Sequence, residues 1–126
     1  VVEGGVMHGL GELEAAVMDV LWRASEPMKV RDVLSDLDTG KQLAYTTVLT
    51  VLDNLHRKGW VQRELVGKAY HYEPTTSRAE AAANAVRELV NASGDPDGVL
   101  LHFARSASEH ETELLRKALP RRSRKR

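Results

Sequence analysis

The sequence predicts a mainly helical chain carrying one small β-hairpin, and three observations predict it. Apolar residues recur at helical spacing in six separate stretches. Two short runs, Trp60 to Leu65 and Ala69 to Glu73, are instead rich in β-branched and aromatic residues and flank Val66-Gly67-Lys68. Proline, glycine and capping residues punctuate the stretches where elements should begin and end. The resulting order is helix, very short strand, helix, helix, two-stranded hairpin, then three helices. Residues 10–74 in this order match a winged helix-turn-helix. Residues 75–120 form a three-helix region, too short to bury three apolar stripes alone. Those stripes are best satisfied against a second copy, which makes the region a dimerisation element.

The first helix runs from Gly11 to Ala24 on the stripe Leu13, Val17, Val20, Leu21 and Ala24. Glu12 and Glu14 in its first turn complement the helix dipole, and Pro27 ends it. Met28-Lys29 suits a minimal strand. A second helix, Val30 to Leu37, presents Val30, Val33, Leu34 and Leu37, and Asp38 to Lys41 turn the chain. The third helix spans Leu43 to Lys58 and stops at Gly59. At about 100° per residue, Ala44, Val48, Val51, Leu52 and Leu55 cluster on one side of it. Thr46, Thr50, Asp53 and Arg57 lie opposite, with Thr47 and Asn54 on a flank. In the hairpin, Tyr70 and Tyr72 share one face and Pro74 closes the second strand.

Ser77 to Glu80 reads as a capping box that opens a helix to Asn91, with Ala82, Val86, Leu89 and Val90 in a stripe. Asp95 and Pro96 then suit the cap and first position of a helix presenting Val99, Leu100, Phe103, Ala104 and Ala107. Ser108 to Glu111 is another capping box, before Leu114, Leu115, Ala118 and Leu119. Pro120 ends order, and residues 121–126 are a basic flexible tail.

Length and composition narrow the class. The 126 residues suit one compact domain or a small domain with a helical extension. With 42% hydrophobic and 29% charged residues, a wholly disordered chain is not expected. The absence of cysteine excludes disulfide frameworks, thiolate nucleophiles and cysteine-based metal sites. No stretch approaches the roughly 18 apolar residues of a membrane helix, and the start lacks the pattern of a secretion signal. The expected location is cytoplasmic, without membrane insertion. Net charge is zero, which is unusual for a nucleic-acid binder. The distribution is uneven, however. Residues 1–40 carry three basic against eight acidic side chains, 41–74 five against three, and 75–126 ten against seven. A DNA partner would therefore meet the middle third, with the first third facing away.

The third helix carries the strongest functional signal. Solvated helix faces favour Glu and Lys over Thr, so an outward face of threonines and an asparagine needs another reason. Thr hydroxyls donate to or accept from base edges, their methyls meet thymine methyls, and Asn pairs bidentately with adenine. Tyr45, Thr46, Thr47, Thr50, Asn54 and Arg57 are thus DNA-contact candidates, with Lys41 before the helix. Arg63 and Lys68 on the hairpin are candidates for phosphate contacts. Leu89, Val99, Leu100, Phe103, Leu114 and Leu115 are the dimerisation candidates. His8, His56, His71, His102 and His110 show no ligand spacing, and a solvated helix start explains His110 among glutamates better than a metal does. With no nucleotide-binding loop and no catalytic triad motif, neither an enzyme nor a cofactor is expected.

These residues resemble the penicillinase-repressor (BlaI/MecI) family. Leu10 to Met18 looks like that family's opening, Leu43 to Leu52 with Leu55, Lys58-Gly59 and Val61 like its recognition helix, and Gly67 to Tyr72 like its wing. The resemblance spans residues 10–74 with high specificity and is weaker beyond Pro74. It implies a homodimer held by C-terminal helices, two winged-helix domains on a dyad operator in double-stranded DNA, and repression of transcription. It implies control of β-lactamase or penicillin-binding-protein genes, relieved when a membrane sensor protease pathway leads to cleavage of an Asn-Phe bond. Here the matching pair is His102-Phe103, so the asparagine is missing. A copper-responsive branch uses cysteine pairs that this chain lacks. Two other readings follow from the residues: a winged helix used for protein-protein interaction, suggested by the zero net charge, or a small-molecule sensor, for which the C-terminal stripes offer no polar group.

Overall fold

The computed structural model describes residues 9–38 and 42–120. The first helix, α1, spans Glu12–Arg23. Gly11 precedes it, its amide donating to Glu14 Oε1 at 3.0 Å. The helix ends before Pro27 is reached: Ala24 is already extended, its amide still bonded to the carbonyls of Val20 and Leu21. Both expected end residues are thus caps. α2 covers Val30–Asp36, and Leu37 is its C-cap.

α3 spans Tyr45–Arg57, starting two residues later than the periodicity suggests. Ala44 takes an extended conformation as N-cap (φ −80°, ψ 150°) and is exposed, so it does not share the buried side of the helix. The C-terminus is closed by the glycine anticipated from the sequence. Gly59 adopts φ 84°, its amide bonds the His56 carbonyl at 3.1 Å, and the Trp60 amide reaches back to Leu55 at 2.9 Å. That double return satisfies two carbonyls that a helix end otherwise leaves without partners.

β1 (Val61–Val66) and β2 (Ala69–Pro74) pair antiparallel, from Val61 opposite Pro74 to Val66 opposite Ala69. The connection is therefore two residues, not three: Val66 belongs to the strand. Gly67 has φ 66°, while no non-glycine residue among those described has positive φ. Glycine at the first central position is the pattern of a II′ turn, whose twist suits a hairpin. The minimal strand at Met28 is present as a single bridge, Met28 and Tyr72 exchanging hydrogen bonds of 2.9 and 2.8 Å.

One core gathers these elements. Val17, Met18 and Leu21 from α1, Val30 and Val33 from α2, Val48, Leu52 and Leu55 from α3, and Val61 and Tyr72 from the hairpin are buried together. Three helices packed against a small hairpin make this a winged helix. Trp22 is fastened at its rim, its indole N–H donating to the Thr76 carbonyl at 3.0 Å and its ring meeting Trp60 edge-on at 6.3 Å. Arg78 lies over the Trp22 ring and pairs with Asp19 at 2.6 Å. That guanidinium, aided by Arg23, holds the Asp19 carboxyl below its ordinary value despite partial burial.

The chain divides into two compact units between Ala85 and Val86. The remaining helices are α4 (Arg78–Ala92), α5 (Pro96–Arg105) and α6 (Glu109–Ala118). Their starts are capped as the sequence suggests. Asp95 accepts from the Gly98 amide at 3.1 Å, and Ser108 and Glu111 exchange hydrogen bonds of 3.1 and 2.9 Å. In the second unit Val90 is buried. No residue of α5 or α6 is. Leu89 and Phe103 are each 59% exposed and Leu114 51%. Among the described residues no helix is long and apolar enough to cross a membrane.

Candidate nucleic-acid interface

The helical period that sends Val48, Val51, Leu52 and Leu55 into the core forces the opposite side of α3 outward. Thr46, Thr47, Thr50, Asp53 and Arg57 are all exposed there, and Tyr45 is exposed at the first turn. Asn54 is half-buried on the flank, and its side-chain oxygen accepts from the Arg57 guanidinium one turn on. These two candidates hold each other. Lys41 lies outside the described residues.

The hairpin projects beyond the core beside this face. Its inner end is anchored by Val61 and Tyr72, whereas Leu65, Val66, Lys68 and Tyr70 toward the turn are exposed. Lys68 stands exposed at the turn, between Val66 and Ala69.

Arg63 does not extend freely into solvent. It pairs with Asp53 of α3 at 3.0 Å, with only 24% of its side chain exposed, and its guanidinium lies 4.2 Å from the centre of the Tyr70 ring. The phenol oxygen of Tyr72 is near enough to hold the guanidinium's proton more firmly, ahead of Asp53 in effect, although it completes no hydrogen bond of ordinary geometry. Sequence reasoning placed Asp53 on the outer face and Arg63 on the first strand without joining them. The signal was the two-residue alternation: Val61, Arg63 and Leu65 share the face that Val61 fixes against the core, and the register sets Tyr72 and Tyr70 opposite Arg63 and Leu65.

Lys58 at the end of α3 is a second connector that sequence reasoning did not single out. Its ammonium meets Glu14 at 2.8 and 3.0 Å and the Gly9 carbonyl at 3.3 Å, tying α3 to the start of α1. Burial alone would raise the Glu14 carboxyl, but Lys58 and the Gly11 amide outweigh it and hold the group below its ordinary value. His56 and His71 are both half-buried, and His71 Nδ1 finds no hydrogen-bond partner.

Elsewhere, α6 borders an open depression lined by Ala107, Glu109, His110, Thr112, Glu113 and Arg116. Among the described residues no three His, Asp or Glu side chains converge as metal ligands would. The arrangement that remains is a polar helix face flanked by a hairpin with a basic tip, shaped to lie along a groove and its phosphates.

The family model for the penicillinase repressor matches residues 10–121. The chain is 42% identical over 113 residues to the transcriptional regulator BlaI of Mycobacterium tuberculosis, covering 87% of this chain and 82% of that protein, and the same holds in a second strain. Among solved structures it is similar in fold to MepR, a transcription regulator of the Staphylococcus aureus multidrug efflux pump MepA. The TM-score there is 0.50 at 18% identity, over 86% of this chain and 74% of that one. A MepR mutant from S. aureus bound to an oligodeoxyribonucleotide gives a TM-score of 0.50 at 18% identity, over 86% and 73% of the two chains.

Proposed function

Because this chain belongs to the penicillinase repressor family, whose members are transcriptional regulators and not enzymes, we propose that it represses transcription as a homodimer reading a dyad operator in double-stranded DNA. Residues 10–74 are the DNA-binding domain in this reading and residues 75–120 the dimerisation region. The observation that carries it is the exposed threonine face of α3 beside the projecting hairpin. A helix of this kind lies in the major groove, where Thr46, Thr47 and Thr50 reach base edges and Tyr45 flanks them. Asn54 and Arg57 must exchange their mutual hydrogen bond for contacts with bases or phosphates. Lys68 meets a phosphate at the tip of the wing.

Dimerisation is supported by the second unit's exposed side chains. Leu89, Val99, Leu100, Phe103, Leu114 and Leu115 are each more than a third exposed. Apolar surface on that scale is stable in water when something covers it. A second copy of the same helices is the self-complementary cover, and two-fold symmetry in the protein matches a palindrome in DNA. The family relationship supports β-lactamase or penicillin-binding-protein genes as the targets, with relief by cleavage in the C-terminal helices. The candidate bond is His102–Phe103 on α5, where both residues are exposed. A cut there in β-lactam-treated cells supports this relief through a membrane sensor pathway, and induction with the chain intact excludes it.

The deciding experiment is titration against duplexes selected from random-sequence DNA over a salt series. Affinity for a palindrome should fall by several orders of magnitude between 50 and 200 mM salt, as it does for proteins making about 6–10 phosphate contacts. Zero net charge favours a second reading, a winged helix that binds another protein through its threonine face. Absence of duplex affinity even at low salt would select that one.

A further inference from the structure

We propose that Arg63 is a positioning residue, clamped to Asp53, that holds the wing at a fixed angle to α3 so that Lys68 reaches phosphate while α3 reads bases. The inference deepens the DNA-binding reading and rests on it for its binding arm. Arg63 has the charge of a phosphate ligand, but the ion pair with Asp53 and the stack on Tyr70 already occupy it. Those partners belong to different elements: Asp53 to α3, Tyr70 to β2, and Arg63 itself to β1. One guanidinium thus joins both strands of the hairpin to the recognition helix.

The hairpin needs such a tie. Two strands alone are marginally stable in water. The inner half is secured by Tyr72 in the core and by its bridge to Met28, but Leu65 is 58% and Val66 53% exposed, so burial does not hold the outer half. A planar guanidinium suits the task because it can bond a carboxylate in its plane and stack on an aromatic ring with its face, which an ammonium cannot do. The pairing also neutralises Asp53, a negative charge in the middle of the surface that would otherwise repel phosphate.

Asp53→Asn separates the possibilities. Removing a negative charge from a DNA-facing surface strengthens binding if charge alone matters. Loss of the clamp instead weakens binding of the full chain to the selected duplex, by about tenfold (a change of roughly 1.4 kcal/mol). Arg63→Lys keeps the charge and loses the fork and stack, so it should match Asp53→Asn. In the native protein Lys68→Ala should lower the salt slope by about one. In the Asp53→Asn background it should add little, because the tip is no longer held in place. Amide exchange supplies a readout independent of DNA: both variants should speed exchange across residues 64–71 while the α3 amides keep their protection. Tighter or unchanged duplex binding by Asp53→Asn with near-native Arg63→Lys overturns the proposal and makes Arg63 a phosphate contact. Native exchange in the hairpin of both variants overturns it too. If the native chain binds no duplex, the DNA reading fails, and the exchange result alone then decides whether the clamp exists.

Discussion

At the scale of single residues, the interface divides by what each side chain can distinguish. A threonine hydroxyl at a base edge discriminates, whereas a lysine at a phosphate does not. Thr46→Ala and Thr50→Ala should therefore each relax preference at one operator position by about 1–3 kcal/mol, read by competition between duplexes differing at that base. Lys68→Ala should weaken all duplexes by a similar factor. Equal losses across sequences for the threonine variants would remove these residues from base readout. The outward threonines were legible in the sequence because a rotation of about 100° per residue fixes which side faces the core. The engagement of Asn54 by Arg57 was less so. Residues three apart on a helix are neighbours, but only the rotamers of this pair decide that they meet.

At the scale of elements, α3 is anchored at its C-terminal end twice, by the glycine closure at Gly59 and by Lys58 bridging to Glu14. The second anchor depends on pH. Glu14 has a folded-state pKa below its ordinary value of 4.5, and Asp19, bonded to Arg78, one below 3.8. A carboxyl depressed by folding contributes stability that is complete above the unfolded value and is lost as pH falls through the folded value. Thermal unfolding of the native chain should hold steady down to about pH 5 and then decline, with Glu14→Gln less stable at pH 7 and losing less below pH 4.5. Equal acid sensitivity of the two proteins would exclude Glu14 as a contributor. The elements themselves were legible, the hairpin and all six helices among them, because periodicity and capping residues act locally. Some of their ends were not. Leu43 is apolar and adjoins the α3 stripe in sequence, yet it packs against the core from a non-helical segment. Val66 looks like a turn residue until its pairing with Ala69 is known.

At the scale of the whole molecule, a net charge of zero conceals a division of labour along the chain, with acidic residues concentrated before residue 41 and basic ones after it. What composition could not supply was the extent of apolar surface left over in the second unit, since a stripe reads the same whether its own chain or another covers it. Phe103→Glu, or Leu100→Glu, should convert a dimer into a monomer in sedimentation at micromolar concentration. The winged-helix unit should keep its unfolding transition, and affinity for a palindrome should fall toward that for a single half-site as the benefit of linked binding disappears. A native chain that sediments as a monomer would refute the assembly. The hairpin also has a bearing on how molecules behave in a crowd. β2 has neighbours on both sides, β1 on one and Met28 on the other, whereas β1 pairs only with β2 among the described residues. An open strand margin invites a stranger's backbone to add itself, and natural sheets discourage this with short strands and charge. Six residues long, with Gln62, Arg63 and Glu64 at its middle, β1 meets both conditions. Neutralising Arg63 and Glu64 together would leave that margin unguarded next to Leu65 and Val66, and the chain would clump at lower concentration even with its fold intact.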